Sequence, residues 1–359
     1  MARKPETGSK DIFIIAAIAL VIVGALIFVL LRIVGHAEKH VDTVKKTKVK
    51  YSESLSWRPD SAISEDKIKA DFKNSRNQTA ADYGDLNLTK NSFVLISKMP
   101  MLRDLKLIRT NFKEKWLNIL ADMNLRYLAL HGTPITDKSI PILLKMKNLE
   151  SVELGDTEIT DKGLEELSAS KTINHLEINL GRKITNRGIE SLDKMTQLKV
   201  LEFSGSKNVT AACLAGLSNL KDLEQLSIKY LTVGSEDLDA LKQFKKLILL
   251  DASECSLDDR ALQGIAAVKS LNVLNINGSN ITDDGIEKLS GLKSLSLLSM
   301  KDCPNVSEKA AEKLKKRLPG CHIVHTKRSG FANKLKQDNV RMELLLLKDE
   351  AKNELEKMK

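Results

Sequence analysis

Short leucine-rich stretches recur about every 24 residues over two thirds of this 359-residue chain. In the clearest copy, Leu271, Leu274 and Ile276 are spaced so that a short strand buries one side, and Ile286 with Leu289 follow at helical spacing. One unit is therefore predicted to be a strand, a turn and a helix. A fixed period of this length predicts a solenoid, in which each unit stacks on its neighbours.

The register of the units follows from the first leucine position of each copy. These positions are Tyr83, Leu102, Leu125, Leu149, Ile173, Leu198, Leu223, Leu247, Leu271 and Leu295. The stretch with Leu318, Cys321 and Ile323 repeats the strand spacing once more without a following helix. We interpret it as the terminal strand of the solenoid.

Two segments with the pattern I-T-D-x-G-L or a close variant, Ile159–Leu164 and Ile281–Ile286, carry a family resemblance. The chain resembles the leucine-rich repeat superfamily, and in particular its ribonuclease-inhibitor-like and cysteine-containing classes, which are common in bacteria. The resemblance covers residues 83–324. It implies an α/β solenoid, an arc with a parallel sheet on its concave face and short helices on its convex side. The family's ladder position corresponds here to Asn91, Thr110, Thr133, Thr157, Ser206, Cys255, Ser279 and Cys303, with Gly181 and Leu231 as departures.

An apolar run near the N-terminus predicts attachment to a lipid bilayer. Ile12–Leu31 carries no charge over a length that suits a helix crossing about 30 Å of hydrocarbon. The run is longer than the core of a typical cleaved signal peptide, which is the alternative. We therefore predict a tail over 1–11, one transmembrane helix over 12–34 and a single-pass cell-membrane protein. We expect the repeats outside the cytoplasm, although the lysines that follow the span favour the opposite orientation.

The segments on either side of the repeats have their own patterns. Residues 35–82 are polar and lysine-rich, as in a juxtamembrane linker, and a helix from Ser64 with Ile68 and Phe72 is expected to cap the first strand. Residues 325–359 are predicted to form a C-terminal helix over Phe331–Lys359. Its leucines fit either a short coiled coil that makes a homo-oligomer or a cap on the end of the solenoid.

Composition and motifs exclude several function classes. The net charge of +10 is spread over the whole chain, so no part of it is basic enough to predict nucleic-acid binding. No catalytic or nucleotide-binding motif occurs, and we predict no enzyme activity and no cofactor. His36 and His40 share one helical face but lack a third ligand, so no metal site is predicted. The four cysteines occupy structural positions of the repeats and are predicted to be free thiols.

The middle outward position of each strand contains a run of carboxylates. That row reads Asn87, Lys106, Ala129, Glu153, Glu177, Glu202, Ser227, Asp251, Asn275 and Ser299. Neighbouring members of the row should lie about 4.8 Å apart, so three glutamates face one another. A second row on the same face contains the apolar residues Val200, Leu249, Val273 and Leu297.

These two rows suggest a binding site for a basic, partly hydrophobic protein or peptide. Glu153, Glu177, Glu202 and Asp251 would contribute charge, and the apolar row would contribute buried area. The alternative is that acidic residues are merely common on solvated repeat surfaces. The leading hypothesis is a membrane-anchored protein-protein interaction module that uses its concave face. The second hypothesis is a structural or assembly protein that oligomerises through its C-terminal helix, with the arc as a spacer.

Overall fold

The computed structural model of the chain describes residues 61–325, with side chains from Glu65 onward. Within these residues, eleven strands form one parallel sheet, in which each strand lies next to its neighbours in sequence. Strands β1 to β11 are Ala80–Asp82, Asp104–Lys106, Tyr127–Ala129, Ser151–Glu153, His175–Glu177, Val200–Glu202, Gln225–Ser227, Leu249–Asp251, Val273–Asn275, Leu297–Ser299 and His322–Val324. This sequential order confirms the predicted α/β solenoid with a parallel sheet.

Short helices connect the strands on the other side of the sheet. The α-helices α1 to α8 are Ser61–Lys73, Lys90–Ser97, Ile140–Lys145, Asp161–Leu167, Asn186–Ser191, Ala261–Ala266, Asp283–Glu287 and Glu308–Arg317. Tight 3-10 turns complete or replace a helix at Ser75–Asn77, Glu114–Leu120, Asp137–Ser139, Leu192–Lys194, Ala211–Gly216, Asp237–Gln243 and Lys288–Gly291.

The central residue of the strands points into the core, whereas the first and third residues point to the opposite side, which we call the strand face. In β9, Leu274 is fully buried, and Val273 and Asn275 on either side of it are partly exposed. Leu271 and Ile276, the other two positions of the leucine pattern, are also fully buried. The apolar spacing of the sequence therefore fixes which side of each strand enters the core.

The predicted register is wrong at both ends of the solenoid. Strand β1 pairs Ala81 with Leu105, so Tyr83 occupies the third apolar position of its unit and not the first. Asn87 therefore leaves the outward row, and Asp82 takes its place beside Lys106. At the other end, Ile323 and not Cys321 pairs with Leu298. End units contact only one neighbour, so their sequences depart from the repeat pattern.

Helix α1 covers the first unit, as the sequence predicted. Ile68 is fully buried, and Phe72 packs against the same core. Lys67 Nζ donates a hydrogen bond of 2.6 Å to the backbone oxygen of Asp82 in β1. The helix thereby satisfies polar groups and covers apolar side chains that the first unit would otherwise expose to water.

The Thr-Asp pair in the repeat pattern links the helix start of one unit to that of the next. Asp161, in the first turn of α4, accepts hydrogen bonds of 2.8 Å from the backbone N–H of Thr185 and 2.6 Å from its hydroxyl. Thr185 is the residue that precedes α5. The same two bonds join Asp137 to Thr160, Asp259 to Thr282, and Asp283 to Ser307. We call this series the carboxylate ladder.

The glycine of the same pattern provides room for the carboxylate ladder. A Cβ atom at Gly188 would overlap the carboxylate oxygen of Asp161 in the preceding unit. Gly163 and Gly285 have the same relation to Asp137 and Asp259. The I-T-D-x-G-L pattern is thus one device in which aspartate, threonine and glycine each depend on the neighbouring unit.

The ladder position predicted from the family resemblance lies in the turn after the strand from Thr110 onward, whereas Asn91, assigned from the wrong register of the first unit, lies in helix α2. Thr110, Thr157 and Ser279 donate side-chain hydrogen bonds of 2.6–2.7 Å to a backbone oxygen three residues earlier. Gly181 departs from the pattern, and there the backbone N–H donates a hydrogen bond of 3.0 Å to the hydroxyl of Ser206 in the next unit. The turn is therefore satisfied even where its usual side chain is missing.

All four cysteines are free and buried, as the sequence predicted. Cys255, at the ladder position, donates a hydrogen bond of 3.1 Å to the backbone oxygen of Ile228 in the preceding unit. Burial raises the pKa of the Cys213 and Cys255 thiols to about 12 and that of Cys321 to about 11. These thiols are therefore protonated and serve as packing groups.

The expected membrane span Ile12–Leu31, the pair His36 and His40, and the C-terminal helix Phe331–Lys359 lie outside the described residues. Within residues 61–325, no helix has the length and apolar character needed to cross a bilayer.

Candidate functional site

The outward carboxylates of neighbouring strands stand in register on the strand face. Glu153 of β4 pairs with Glu177 of β5, which pairs with Glu202 of β6. Asp251 follows two strands later, separated from Glu202 by Ser227. The predicted alignment of this acidic row is confirmed.

The burial of the row differs from the sequence expectation of a solvated charged surface. Glu153 is 4% exposed and Glu177 is 5% exposed, whereas Glu202 and Asp251 are only partly buried. Tyr127, on the strand before Glu153, donates a hydrogen bond from its hydroxyl group to the carboxylate of Glu153. The accessible acidic groups therefore lie at Glu202 and Asp251 and not across the whole row.

Glu177 has the most perturbed carboxyl group of the row. Burial raises its pKa well above the ordinary value of 4.5, and the charges of Glu153 and Glu202 raise it further. A hydrogen bond of 2.8 Å from the amide of Asn179 partly opposes these effects. A proton on Glu177 relieves the repulsion among three aligned carboxylates, which would be costly in a buried setting.

His131 lies close enough to Glu153 and Asp156 for their charges to act on its imidazole. Its side chain is 7% exposed, and burial lowers the pKa of its imidazole, against the opposing influence of Asp156 and Glu153. A lowered pKa keeps the imidazole neutral at physiological pH. No group of three His, Cys, Asp or Glu side chains in the described part of the chain is arranged to hold a metal ion.

The apolar row lies at the first residue of each strand. Leu249, Val273 and Leu297 belong to three adjacent strands and are directly paired in register. Each of them is partly exposed on the strand face. Val200 is separated from them by Gln225, so the continuous part, which we call the apolar strip, consists of Leu249, Val273 and Leu297.

A polar row that the sequence analysis missed lies two residues after the outward row and includes Asn179, Ser204, Ser253 and Asn277. The side-chain oxygen of Asn179 accepts a hydrogen bond of 2.6 Å from the backbone N–H of Ser204, and the hydroxyl of Ser204 lies 2.8 Å from that of Ser227. The hydroxyl of Ser253 donates a hydrogen bond of 2.6 Å to the carboxylate of Asp251. These bonds hold the outward side chains in fixed positions. The alternation of each strand, continued by one more step, would have found the row.

The next position after this polar row has a left-handed backbone in ten successive units. Three glycines, Gly132, Gly205 and Gly278, have φ between 67° and 69°. The other members are Asp85, Arg109, Asp156, Leu180, Tyr230, Glu254 and Asp302, with φ between 51° and 62°. We call this position the rim, because it lies where the strands have ended. The three glycines at one repeat position were the sequence signal for it.

Comparisons with known proteins agree with the repeat architecture. A family model described as Leucine Rich repeat matches residues 145–168 and 269–290. The crystal structure of an internalin (inlF) from Listeria monocytogenes has a similar fold, with a TM-score of 0.53 and 19% sequence identity over 69% of this chain and 73% of that chain. An internalin C2 (inlC2) from the same species aligns with a TM-score of 0.41 and 20% identity, over 60% of this chain and 84% of that chain. No curated protein sequence matches the chain.

Proposed function

Because this chain is a leucine-rich repeat protein, we propose that it is a non-catalytic, membrane-anchored interaction module. Its strand face, on the concave side of the expected arc, binds a protein or peptide segment that is basic and partly hydrophobic. The leucine-rich repeat fold generally serves protein-protein interaction, and the partner class is inferred from the side chains that this chain presents.

The apolar strip is the observation that carries the proposal. Leu249, Val273 and Leu297 are large aliphatic side chains that remain partly exposed on three adjacent strands. Contiguous apolar surface on a soluble domain often marks an association site. Glu202 and Asp251 are the partly exposed acids of the neighbouring row, so a bound segment with lysine or arginine beside apolar residues complements both rows.

The buried acids contribute differently from the exposed ones. Glu153 and Glu177 are too enclosed to contact a partner directly, and their role is to set the electrostatic potential beneath the surface. Glu177 contributes less negative charge when it holds a proton. The direct contacts to a basic segment therefore belong to Glu202 and Asp251.

The anchor in the proposal is Ile12–Leu31, whose uncharged length suits one bilayer crossing. We place the repeats outside the cytoplasm. Protease added to intact cells should then remove the repeat domain from the membrane fraction. Protection of the repeats until the cells are lysed would reverse this orientation.

Crosslinking in native membranes, followed by identification of the captured protein, tests the binding site. The variant Leu249→Ser with Val273→Ser should lose capture because it removes apolar contact area. The variant Glu202→Gln with Asp251→Asn should weaken capture, and the wild-type interaction should weaken as salt is added. Undiminished capture by both variants would contradict the proposed surface.

A second set of variants separates the carboxylates of the strand face from acidic charge in general. The triple change of Glu153, Glu177 and Glu202 to Gln should weaken capture while preserving or raising stability. The matched triple change of the exposed helix-side residues Glu165, Glu166 and Glu190 to Gln should leave capture intact. Equal losses in the two triple variants would indicate a non-specific charge effect.

A further inference from the structure

Tyr230 combines two unfavourable features at the rim. Its side chain is 55% exposed, and its backbone has a φ of 61°. A bulky residue pays a steric cost in this left-handed region, where glycine, asparagine and aspartate are favoured. The equivalent positions in other units include Gly205 and Gly278, so the fold itself does not require an aromatic residue here. Strained residues of this kind cluster at functional sites, so the exposed ring of Tyr230 points to a binding role.

Leu180 and Gly205 extend the surface around Tyr230 over three consecutive units. The backbone N–H of Leu180 donates a hydrogen bond of 2.8 Å to the backbone oxygen of Ser204. The backbone N–H of Gly205 donates one of 2.9 Å to the backbone oxygen of Lys229, so the three rim turns are adjacent. The Leu180 side chain lies over Gly205, where an added Cβ would come within 2.8 Å of its Cδ2 atom. Leu180, Gly205 and Tyr230 therefore form one surface, which we call the rim patch.

The charges beside the rim patch are positive. Lys229 Nζ lies 5.0 Å from the centre of the Tyr230 ring, and Lys207 is exposed in the turn that follows Gly205. Neither lysine forms an ion pair with another residue in the range 61–325. Arg182, in contrast, is already neutralised by Asp156 at 2.6 Å.

The nearest acid on the rim does not cancel this charge. Glu254, in the unit after Tyr230, directs its carboxylate toward Gly278, where an added Cβ would lie 3.0 Å from it. The carboxylate of Asp251 accepts its bonds from Ser253 within its own unit. The rim patch therefore presents an apolar centre flanked by two ammonium groups.

We propose that the rim patch, with Lys207 and Lys229, is a second docking surface, and that it binds an acidic peptide segment of a partner protein. An apolar side chain of that segment lies against Leu180 and Tyr230, and its carboxylates pair with the two lysines. This surface differs from the strand face in both place and charge: it follows the ends of the strands, and it selects a partner of opposite sign. It stands whether or not the strand face binds the basic segment proposed above.

A set of synthetic peptides, in which net charge and apolar content vary independently, tests the proposal on the full-length chain in mild detergent. Fluorescence anisotropy of labelled peptides gives the affinities. Acidic peptides with a central leucine or phenylalanine should bind about tenfold more tightly than neutral or basic peptides of the same length. Acidic peptides with serine at the centre should also bind more weakly.

Two variants assign the binding to the rim patch. Lys207→Glu with Lys229→Glu should abolish the preference for acidic peptides. Tyr230→Asn, which suits the left-handed backbone, should remove the preference for an apolar centre without lowering the melting temperature. The charge-matched control, Lys145→Glu with Lys162→Glu on the exposed helix side, should retain both preferences.

Three results would overturn the proposal. The first is equal affinity for acidic and basic peptides in the wild-type chain. The second is an acidic preference that persists in the Lys207→Glu, Lys229→Glu variant. The third is binding to vesicles of anionic lipid that depends on the two lysines, without any binding of the acidic peptides, because it would identify a membrane contact instead of a protein-docking surface.

Discussion

At the scale of single residues, Glu153, Glu177 and Glu202 form an aligned row in which Glu153 and Glu177 are almost fully buried. Tyr127 donates a hydrogen bond to Glu153, and Asn179 donates one to Glu177. The fold therefore holds three carboxyl groups side by side where negative charges repel one another strongly.

Replacement of Glu177 by glutamine is expected to stabilise the protein at neutral pH. The folded state raises the pKa of Glu177 above 4.5, so its protonated form favours folding at low pH, and this contribution is lost as the pH rises through the folded pKa. Glutamine keeps an acceptor for Asn179 and removes the repulsion from Glu153 and Glu202.

The Glu177→Gln variant should gain on the order of 1 kcal/mol at pH 7, the scale of one like-charge contact. Denaturant unfolding from pH 4 to pH 8 measures this gain. The free energy of unfolding of the wild-type protein should fall as the pH rises over this range, and the fall should be smaller in the variant. Glu165→Gln, at an exposed helix position, is the control and should change nothing. A lower stability of Glu177→Gln at pH 7 would mean that the buried carboxylate is ionised and well paired.

Gly278→Ala is expected to destabilise the chain by roughly 1–2 kcal/mol, because an L-residue is strained in the left-handed region. The backbone there has a φ of 69°, and the added Cβ would lie 3.0 Å from the carboxylate of Glu254. Thermal unfolding measures the change. Gly320→Ala is the matched control, because no atom lies within 4 Å of its added Cβ, and it should be nearly neutral.

For single residues, the sequence pattern predicted alignment but not burial. The spacing of the leucines placed Glu153, Glu177 and Glu202 on one face and in one row, and the strand register agrees. Their burial depends on side chains from several units, among them Tyr127 and Asn179. A repeat period assigns a face to each residue, whereas the packing at that face follows from neighbours that are remote in sequence.

At the scale of elements, the interior units followed the sequence prediction and the two ends did not. Interior units pack between two similar neighbours, so their apolar spacing is constrained on both sides. The first strand lies at Ala80–Asp82, before the expected start at Tyr83, because helix α1 supplies part of its packing. The carboxylate ladder was visible in the sequence only as a repeated Thr-Asp pair, and its partners became clear from the contacts between units.

The ladder should contribute measurable stability through the Asp161–Thr185 contact. Asp161→Ala removes the acceptor of two hydrogen bonds at the start of α5 and should cost about 1–2 kcal/mol. Gly188→Ala alone should also destabilise, because its Cβ would overlap the Asp161 carboxylate.

The combined Asp161→Ala, Gly188→Ala variant should lose less stability than the sum of the two single variants, since the overlap disappears with the carboxylate. A double-mutant cycle by denaturant unfolding measures this coupling. Strict additivity would show that the aspartate and the glycine do not act on each other.

At the scale of the whole molecule, the repeats should fold without the N-terminal segment. A chain that begins near Ser52 keeps helix α1 and all eleven strands. We expect it to be soluble without detergent and to give circular dichroism of mixed helix and strand. Aggregation of every such chain would place the boundary elsewhere and indicate that earlier residues are part of the fold.

Truncation after Gly330 separates the two interpretations of the C-terminal segment. If Phe331–Lys359 forms a coiled coil, its removal should turn an oligomer into a monomer with nearly unchanged melting temperature. If the segment caps the solenoid, its removal should lower the melting temperature and leave the number of chains per particle unchanged. Light scattering and thermal unfolding on the same samples distinguish these outcomes.

The carboxylate ladder gives the chain a mechanical direction. Each aspartate serves the helix start of the following unit, as Asp161 serves Thr185, so dependence runs from the N-terminal end toward the C-terminal end. Peeling a unit from the C-terminal end leaves the helix starts of the earlier units satisfied. Detaching a unit from the N-terminal end removes the aspartate carboxylate that accepts the hydrogen bonds at the helix start of the next unit. Under a pulling force, the solenoid should therefore unravel in separate steps from its C-terminal end and more cooperatively from its N-terminal end.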